Sequence, residues 1–126
     1  MKVFMITLKI PIKTVSEANK TGEHWTQKHK RHKAQRCIIA KYWMCKILGQ
    51  PIPTRAKITF TRIAPRSLDS DNLQSAFKTI RDQLCELITG ITQKGRADSG
   101  DRFQYEYNQR KGESKEYAIE IMIESV

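Results

Sequence analysis

Apolar and polar positions alternate along this chain with two different periods, and the changes of period divide it into six segments. Phe4, Ile6, Leu8 and Ile10 fall on one face of an alternating run, which predicts a strand over 3–10 with that face turned to a core. Pro11 ends it, and the stretch to Glu23, with Asn19 and Gly22, is a loop. From about Trp25 to Leu48 the period lengthens. Cys37, Ile38, Tyr42, Cys45 and Leu48 recur at three- and four-residue steps, which predicts a helix with these residues as its core stripe. Gly49, Pro51 and Pro53 stop it.

A second strand is predicted over 55–63, where Ala56, Ile58 and Phe60 alternate with Lys57, Thr59 and Thr61, closed by Pro65. Leu73, Ala76, Phe77, Ile80, Leu84, Leu87 and Ile88 then mark one stripe of a helix over about 72–89. Asp71 or Ser70 is its expected N-cap, and Gly90 its stop. After a polar loop over 92–100 come two strands, 102–109 and 116–124, expected to form an antiparallel hairpin that turns over 110–114 around Gly112. The order β-α-β-α-β-β in 126 residues predicts one α+β domain, a mixed sheet with both helices packed on one face. Trp43 is expected in the core or at a subunit interface, and Phe103, Tyr105 and Tyr107 on a buried or dimer-facing sheet surface.

Composition excludes several classes. Hydrophobic residues make up 39% of the chain and fall in periodic segments, so disorder is not expected. The longest apolar run, Val3 to Ile10, is too short to span a bilayer and lacks the pattern of a signal peptide, so the expectation is a cytoplasmic protein with no membrane partner. Cys37, Cys45 and Cys85 have no paired metal-site spacing and are expected to be reduced thiols, mostly packed.

Charge changes the picture more. The formal net charge is +10, and it is unevenly spread. Lys20, Lys28, Lys30, Arg31, Lys33, Arg36, Lys41 and Lys46, with His24, His29 and His32, face a single acid, Glu23, between positions 20 and 46. A solvated helix surface accounts for any one of these. The density of the cluster points instead to phosphate contacts, whose affinity falls steeply with salt.

Against that background stands Leu68-Asp69-Ser70-Asp71-Asn72. Residues two apart on an extended backbone point the same way, so Asp69 and Asp71 are expected to aim their oxygens at one point. Such oxygen clusters suit Mg²⁺ or Mn²⁺. A third acid arrives before a strand at Asp98 or Asp101, and a metal among converging carboxylates can polarise a phosphodiester and activate water. The competing account is structural: one Asp caps the helix and the other is a turn acid.

With the aromatic strand ending Tyr105-Glu106-Tyr107, and His24-Trp25 opening a Lys/Arg-rich helix, the motif resembles the RusA-type Holliday-junction endonucleases. The resemblance runs over most of the chain. It implies a homodimer that binds four-way DNA junctions by shape and nicks two opposing strands with Mg²⁺ or Mn²⁺, in a bacterial or phage-infected cell. It further implies that Asp69, Asp71 and Asp98 hold the metal, with Asp101 as rival third acid, and that Asn72 matches the Asn of the motif. The family's Lys four residues after the second Asp is Ser75 here, with Lys78 one turn later as the catalytic alternative. Lys20, His24, Lys28, Lys30, Arg31, Lys33, Arg36 and Asn72 are the expected DNA contacts. The loop after the first strand carries Pro11 alone where the family has Pro-Pro-Ser. Two other classes compete: a non-catalytic DNA- or RNA-binding module, and a toxin-like ribonuclease, whose usual His, Arg or Glu chemistry fits paired Asp less well.

Overall fold

Burial sorts the strands before their pairing is considered. In the computed structural model, which describes residues 5–14, 22, 24–47, 55–90 and 102–125, the elements are β1 (Met5–Ile10), α1 (Trp25–Ile47), β2 (Ala56–Ala64), α2 (Ser70–Thr89), β3 (Phe103–Lys111) and β4 (Ala118–Ser125). The predicted α+β order and class hold. β2 is apolar or buried on nearly all positions, including Thr59, Arg62, Ile63 and Ala64. β3 buries only Phe103 and leaves Gln104, Glu106, Asn108 and Gln109 exposed. A strand buried on both sides belongs inside a sheet, and a polar one at an edge.

The sheet follows that rule with the order β1-β4-β2-β3. β4 pairs antiparallel with β1 and β2, and β3 pairs parallel with β2, from Ala56↔Phe103 to Ala64↔Lys111. The expected hairpin is therefore absent: β2 lies between β3 and β4. A parallel neighbour needs a crossover, which α2 supplies, and the segment 112–117 then steps over the end of β2. The step is tight. Gly112 donates its N–H to Ala64 O at 2.9 Å, and a Cβ there would meet Glu116 Oε1 at 2.8 Å and Ile63 Cγ2 at 3.1 Å.

The helix-facing side of the sheet carries Ile6, Leu8, Ile10, Ile58, Phe60, Ile119, Ile121 and Ile123, all buried, with Phe77, Ile80 and Leu84 of α2 packed onto them. Phe60 lies 5.2 Å from Phe77 and 5.7 Å from Tyr107 between ring centroids. The β3 aromatics thus belong to the core layer. On α1 the stripe is displaced from its predicted position. Gln35, Ile39 and Trp43 are buried, with Ile38, Tyr42 and Ile47 partly so, whereas Cys37 and Cys45 are exposed. Positions 35, 39 and 43 give one face at strict four-residue steps, and the large indole of Trp43 buries more apolar area than a thiol. Only Cys85 packs as expected, and all three cysteines are free. Leu48 lies outside the described residues. Among the described residues no helix is long and apolar enough to cross a membrane.

The two helices run parallel. His32 meets Thr79, and Arg36 donates from Nε to Gln83 Oε1 at 2.8 Å, a constant offset of 47 positions. Because β1, β2 and β3 also run alike, their carboxyl ends and both helix N-termini share one edge of the domain.

Candidate nucleic-acid and metal site at the carboxyl edge of the sheet

The acidic motif sits on that edge because β2 must turn there to enter α2. Gln109, near the end of β3, holds the turn. Its Oε1 accepts from Leu68 N at 2.9 Å and its Nε2 donates to Leu68 O at 2.7 Å. A side-chain amide of β3 thus makes a ladder-like pair of bonds with the Leu68 backbone, four residues past the end of β2, placing Asp69 directly after a pinned residue.

Asp69 is the N-cap of α2. Its backbone is extended at φ −69° and ψ 170°, and its Oδ1 accepts from Asn72 N at 2.9 Å. The helix begins at Ser70, so neither Ser70 nor Asp71 is the cap, and Asp71 lies in the first turn. This revises the premise that both acids stand on extended backbone: one precedes the helix and the other is inside it. Both have a structural account, since a cap oxygen satisfies an otherwise unpaired N–H and an acid in the first turn meets the positive end of the helix dipole. They are also solvent-exposed hard-oxygen donors a few residues apart. Asp69 keeps its second oxygen outside the cap bond, so each residue offers the kind of oxygen donor by which Mg²⁺ is usually held, one or two carboxylates with the remaining positions going to water and phosphate.

The third acid is a different matter. Asp98 and Asp101 lie outside the described residues. The described residues that bracket them, Gly90 and Arg102, stand at the far edge. Gly90 follows the C-terminus of α2, and Arg102 O accepts from Ala56 N at the start of β2. Among the described residues no group of three or more His, Cys, Asp or Glu could hold a metal ion. Lys78 is exposed on α2, about 10 Å along the axis from Asp71 and on nearly the same side, seven residues being almost two turns.

The expected DNA-contacting residues divide into three groups. Lys28, Lys30 and Lys33 are exposed on α1, and Arg31 is half-buried with a partner. Arg36 is committed to the fold, since besides Gln83 it pairs with Glu86 Oε2 at 2.8 Å and so ties α1 to α2. His24 caps α1: its Nδ1 lies 2.7 Å from Thr26 Oγ1, its carbonyl accepts from Gln27 N and Lys28 N, and its ring stacks on exposed Trp25 at 5.8 Å. Asn72 is half-buried, and its backbone N–H is the one given to Asp69. Lys20 lies outside the described residues.

A feature absent from the sequence reading adjoins the motif. A cleft of about 490 Å³ is lined by Arg62, Ala64, Pro65, Arg66, Ser67, Gln109, Arg110 and Lys111. It holds four cationic side chains and no acid. Arg62 is 8% exposed, with Nε donating to Thr14 Oγ1 at 2.9 Å and Nη1 to Arg66 O. Burial pulls its pKa down from the ordinary guanidinium value. One signal was present in the sequence: Arg62 continues the inward series Ala56, Ile58, Phe60, and an arginine on a core-facing alternation asks for a reason. Comparison with known protein families and with curated proteins finds no match to this chain.

Proposed function

We propose that the chain is a Mg²⁺- or Mn²⁺-dependent endodeoxyribonuclease that acts as a homodimer on branched DNA, nicking four-way junctions. The observation that carries this reading is the meeting, on one edge, of two exposed carboxylates with a cationic cleft in a protein of net charge +10. Acids beside a basic surface oppose its attraction for a polyanion unless a cation joins them to phosphate. The likeness of Leu68 to Leu73 to the RusA-type motif supports the same reading, with Asp98 as the expected third ligand. A divalent ion held by Asp69 and Asp71 supplies charge neutralisation and water activation. The chain's own residues do the rest. Gln109 holds Leu68 and thereby orients Asp69, the exposed lysines of α1 attract the duplex, and Lys78 on the Asp71 side of α2 offers a positive charge to a phosphate brought there.

The test uses a labelled synthetic four-way junction and a linear duplex, each with Mg²⁺ and with EDTA, for the natural chain and Asp71→Asn. Metal-dependent nicking of the junction, lost in Asp71→Asn while binding persists, is the expected result. A second reading, a DNA- or RNA-binding module without catalysis, is favoured by one specific observation: the Asp69–Asn72 cap bond gives the first acid a complete structural role. It predicts binding without cleavage under every condition.

A further inference from the structure

Arg62 is a buried cation without a counter-ion among the described residues. No carboxylate among them pairs with it, and the groups that accept its hydrogen bonds, the Thr14 hydroxyl and the Arg66 backbone carbonyl, are neutral. Buried arginines are normally paired, because removing the charge from water is unfavourable unless an anion compensates. Its guanidinium is fixed by those two bonds, which leaves its other N–H donors for the cleft it lines. Around it, Arg66 and Lys111 are exposed and make no ion pair among the described residues, while Arg110 is paired to Glu120 Oε1 at 2.6 Å. A fixed, buried fork with exposed cations at the rim matches the geometry of a phosphate, whose oxygens accept paired N–H bonds from arginine.

We propose that this cleft seats one backbone phosphate of a nucleic-acid strand, at a position distinct from Asp69 and Asp71. The proposal deepens the nucleic-acid reading above and rests on it, but not on catalysis. Cleft and acids are joined through Gln109 and the 65–69 turn, so a phosphate seated against Arg62 fixes the register of the strand as it passes the carboxylates. Arg62 is then a positioning residue, and the cations of α1 supply attraction without register.

The experiment measures binding of a labelled four-way junction by the full chain across a salt series, with Arg66→Ala/Lys111→Ala beside Lys28→Ala/Lys30→Ala. Both exposed pairs should fold. Each neutralised phosphate contributes about 0.9 to the slope of log affinity against log salt, so loss of the one phosphate seated in the cleft should lower it by about one. A slope unchanged in Arg66→Ala/Lys111→Ala, with loss confined to the α1 pair, overturns the proposal. Inorganic phosphate separates the sources. If it raises the melting temperature of the natural chain while the DNA slope is insensitive to the cleft pair, the cleft is a small-anion site and the strand assignment is wrong. In Arg62→Lys, which keeps the charge but loses the fork, a binding defect is expected with an unchanged salt slope; no defect with folding intact counts against the seat. The nuclease reading fails separately, by absence of metal-dependent nicking in a chain whose cleft slope behaves as described.

Discussion

On one face of one sheet, α2 buries six of its 20 residues and α1 three of its 23. α2 is finished at both ends, with Asp69 as N-cap, Asp71 in the first turn, and Gly90 at φ 74° donating its N–H to Glu86 O at 2.8 Å. α1 begins without an acid in its first turn, and no residue from Trp25 to Ala34 is buried. Its early turns instead carry Lys28, Lys30, Arg31 and Lys33, cations near the positive end of a helix dipole, with Lys28 and Arg31, and Lys30 and Lys33, about one turn apart. Both arrangements disfavour the helix by a few tenths of a kcal/mol per group. The core therefore accounts for the residue choices of α2 and not for those of the first half of α1. Charge placed against its local field is relieved when an anion arrives, and this supports the proposal that the exposed half of α1 faces phosphate.

The comparison breaks if the helices respond alike to substitution. Phe77→Ala, deep in the α2 stripe and in ring contact with Phe60, should cost about 3–5 kcal/mol in urea unfolding. Lys30→Ala on α1 should stay within about 0.5 kcal/mol while weakening DNA binding. Equal stability losses would show that α1's first half has a packing role.

The cap separates structure from chemistry. Asp69→Ala should lose about 1 kcal/mol, whereas Asp69→Asn keeps the cap and its stability to within a few tenths. If Asp69 also holds a metal, Asp69→Asn loses metal-dependent nicking with an unchanged melting curve. If Asp69→Asn nicks like the natural chain, the cap is its whole function. Gly90→Ala, forced into the left-handed region, should cost about 1 kcal/mol and tests the other end of α2 by the same unfolding measurement.

A smaller effect sharpens the electrostatic contrast. Gln27→Glu introduces the acid that α1's first turn lacks and should raise stability by about 0.3–1 kcal/mol while lowering junction affinity. A stability gain without an affinity loss would place the DNA surface elsewhere. The smallest effect is on the open face of the sheet, where Lys57 Nζ lies 2.7 Å from Glu106 Oε2. The hydrogen bond and charge of Lys57 lower the Glu106 pKa, and those of Glu106 raise that of Lys57. A depressed carboxylate stabilises the fold above its unfolded pKa, and that contribution is lost as pH falls through the folded value. A raised ammonium stabilises below its unfolded pKa and loses that as pH rises through the folded value. NMR titration should find the Glu106 carboxyl below its ordinary range, returning to it in Lys57→Met.

Much of the architecture was legible in the residues alone. The alternation Ile6, Leu8, Ile10 and the stripe Leu73 to Leu84 gave two elements their faces, because burial on one side repeats with the period of the backbone. The pairing of β3 was not. Phe103, Tyr105 and Tyr107 alternate equally well beside β4 or beside β2, and nothing local distinguishes an adjacent hairpin partner from a strand one place further across. The same limit applied to α1, where Cys37 and Cys45 satisfy helical spacing as well as Gln35, Ile39 and Trp43 do, and the choice depended on which face met the sheet.

Local chemistry written in short spans, the strand periods, the helix stops and the concentration of cations between Lys20 and Lys46, was therefore settled along the chain itself. The partners of β2, the cap taken by Asp69 rather than its neighbours, and the seclusion of Arg62 in a cationic cleft with Arg66, Arg110 and Lys111 came from the folded arrangement. Each requires residues distant in sequence, Gln109 against Leu68 or Thr14 against Arg62, and such contacts depend on how the whole sheet buries its most apolar strand, a constraint that no local window of sequence contains.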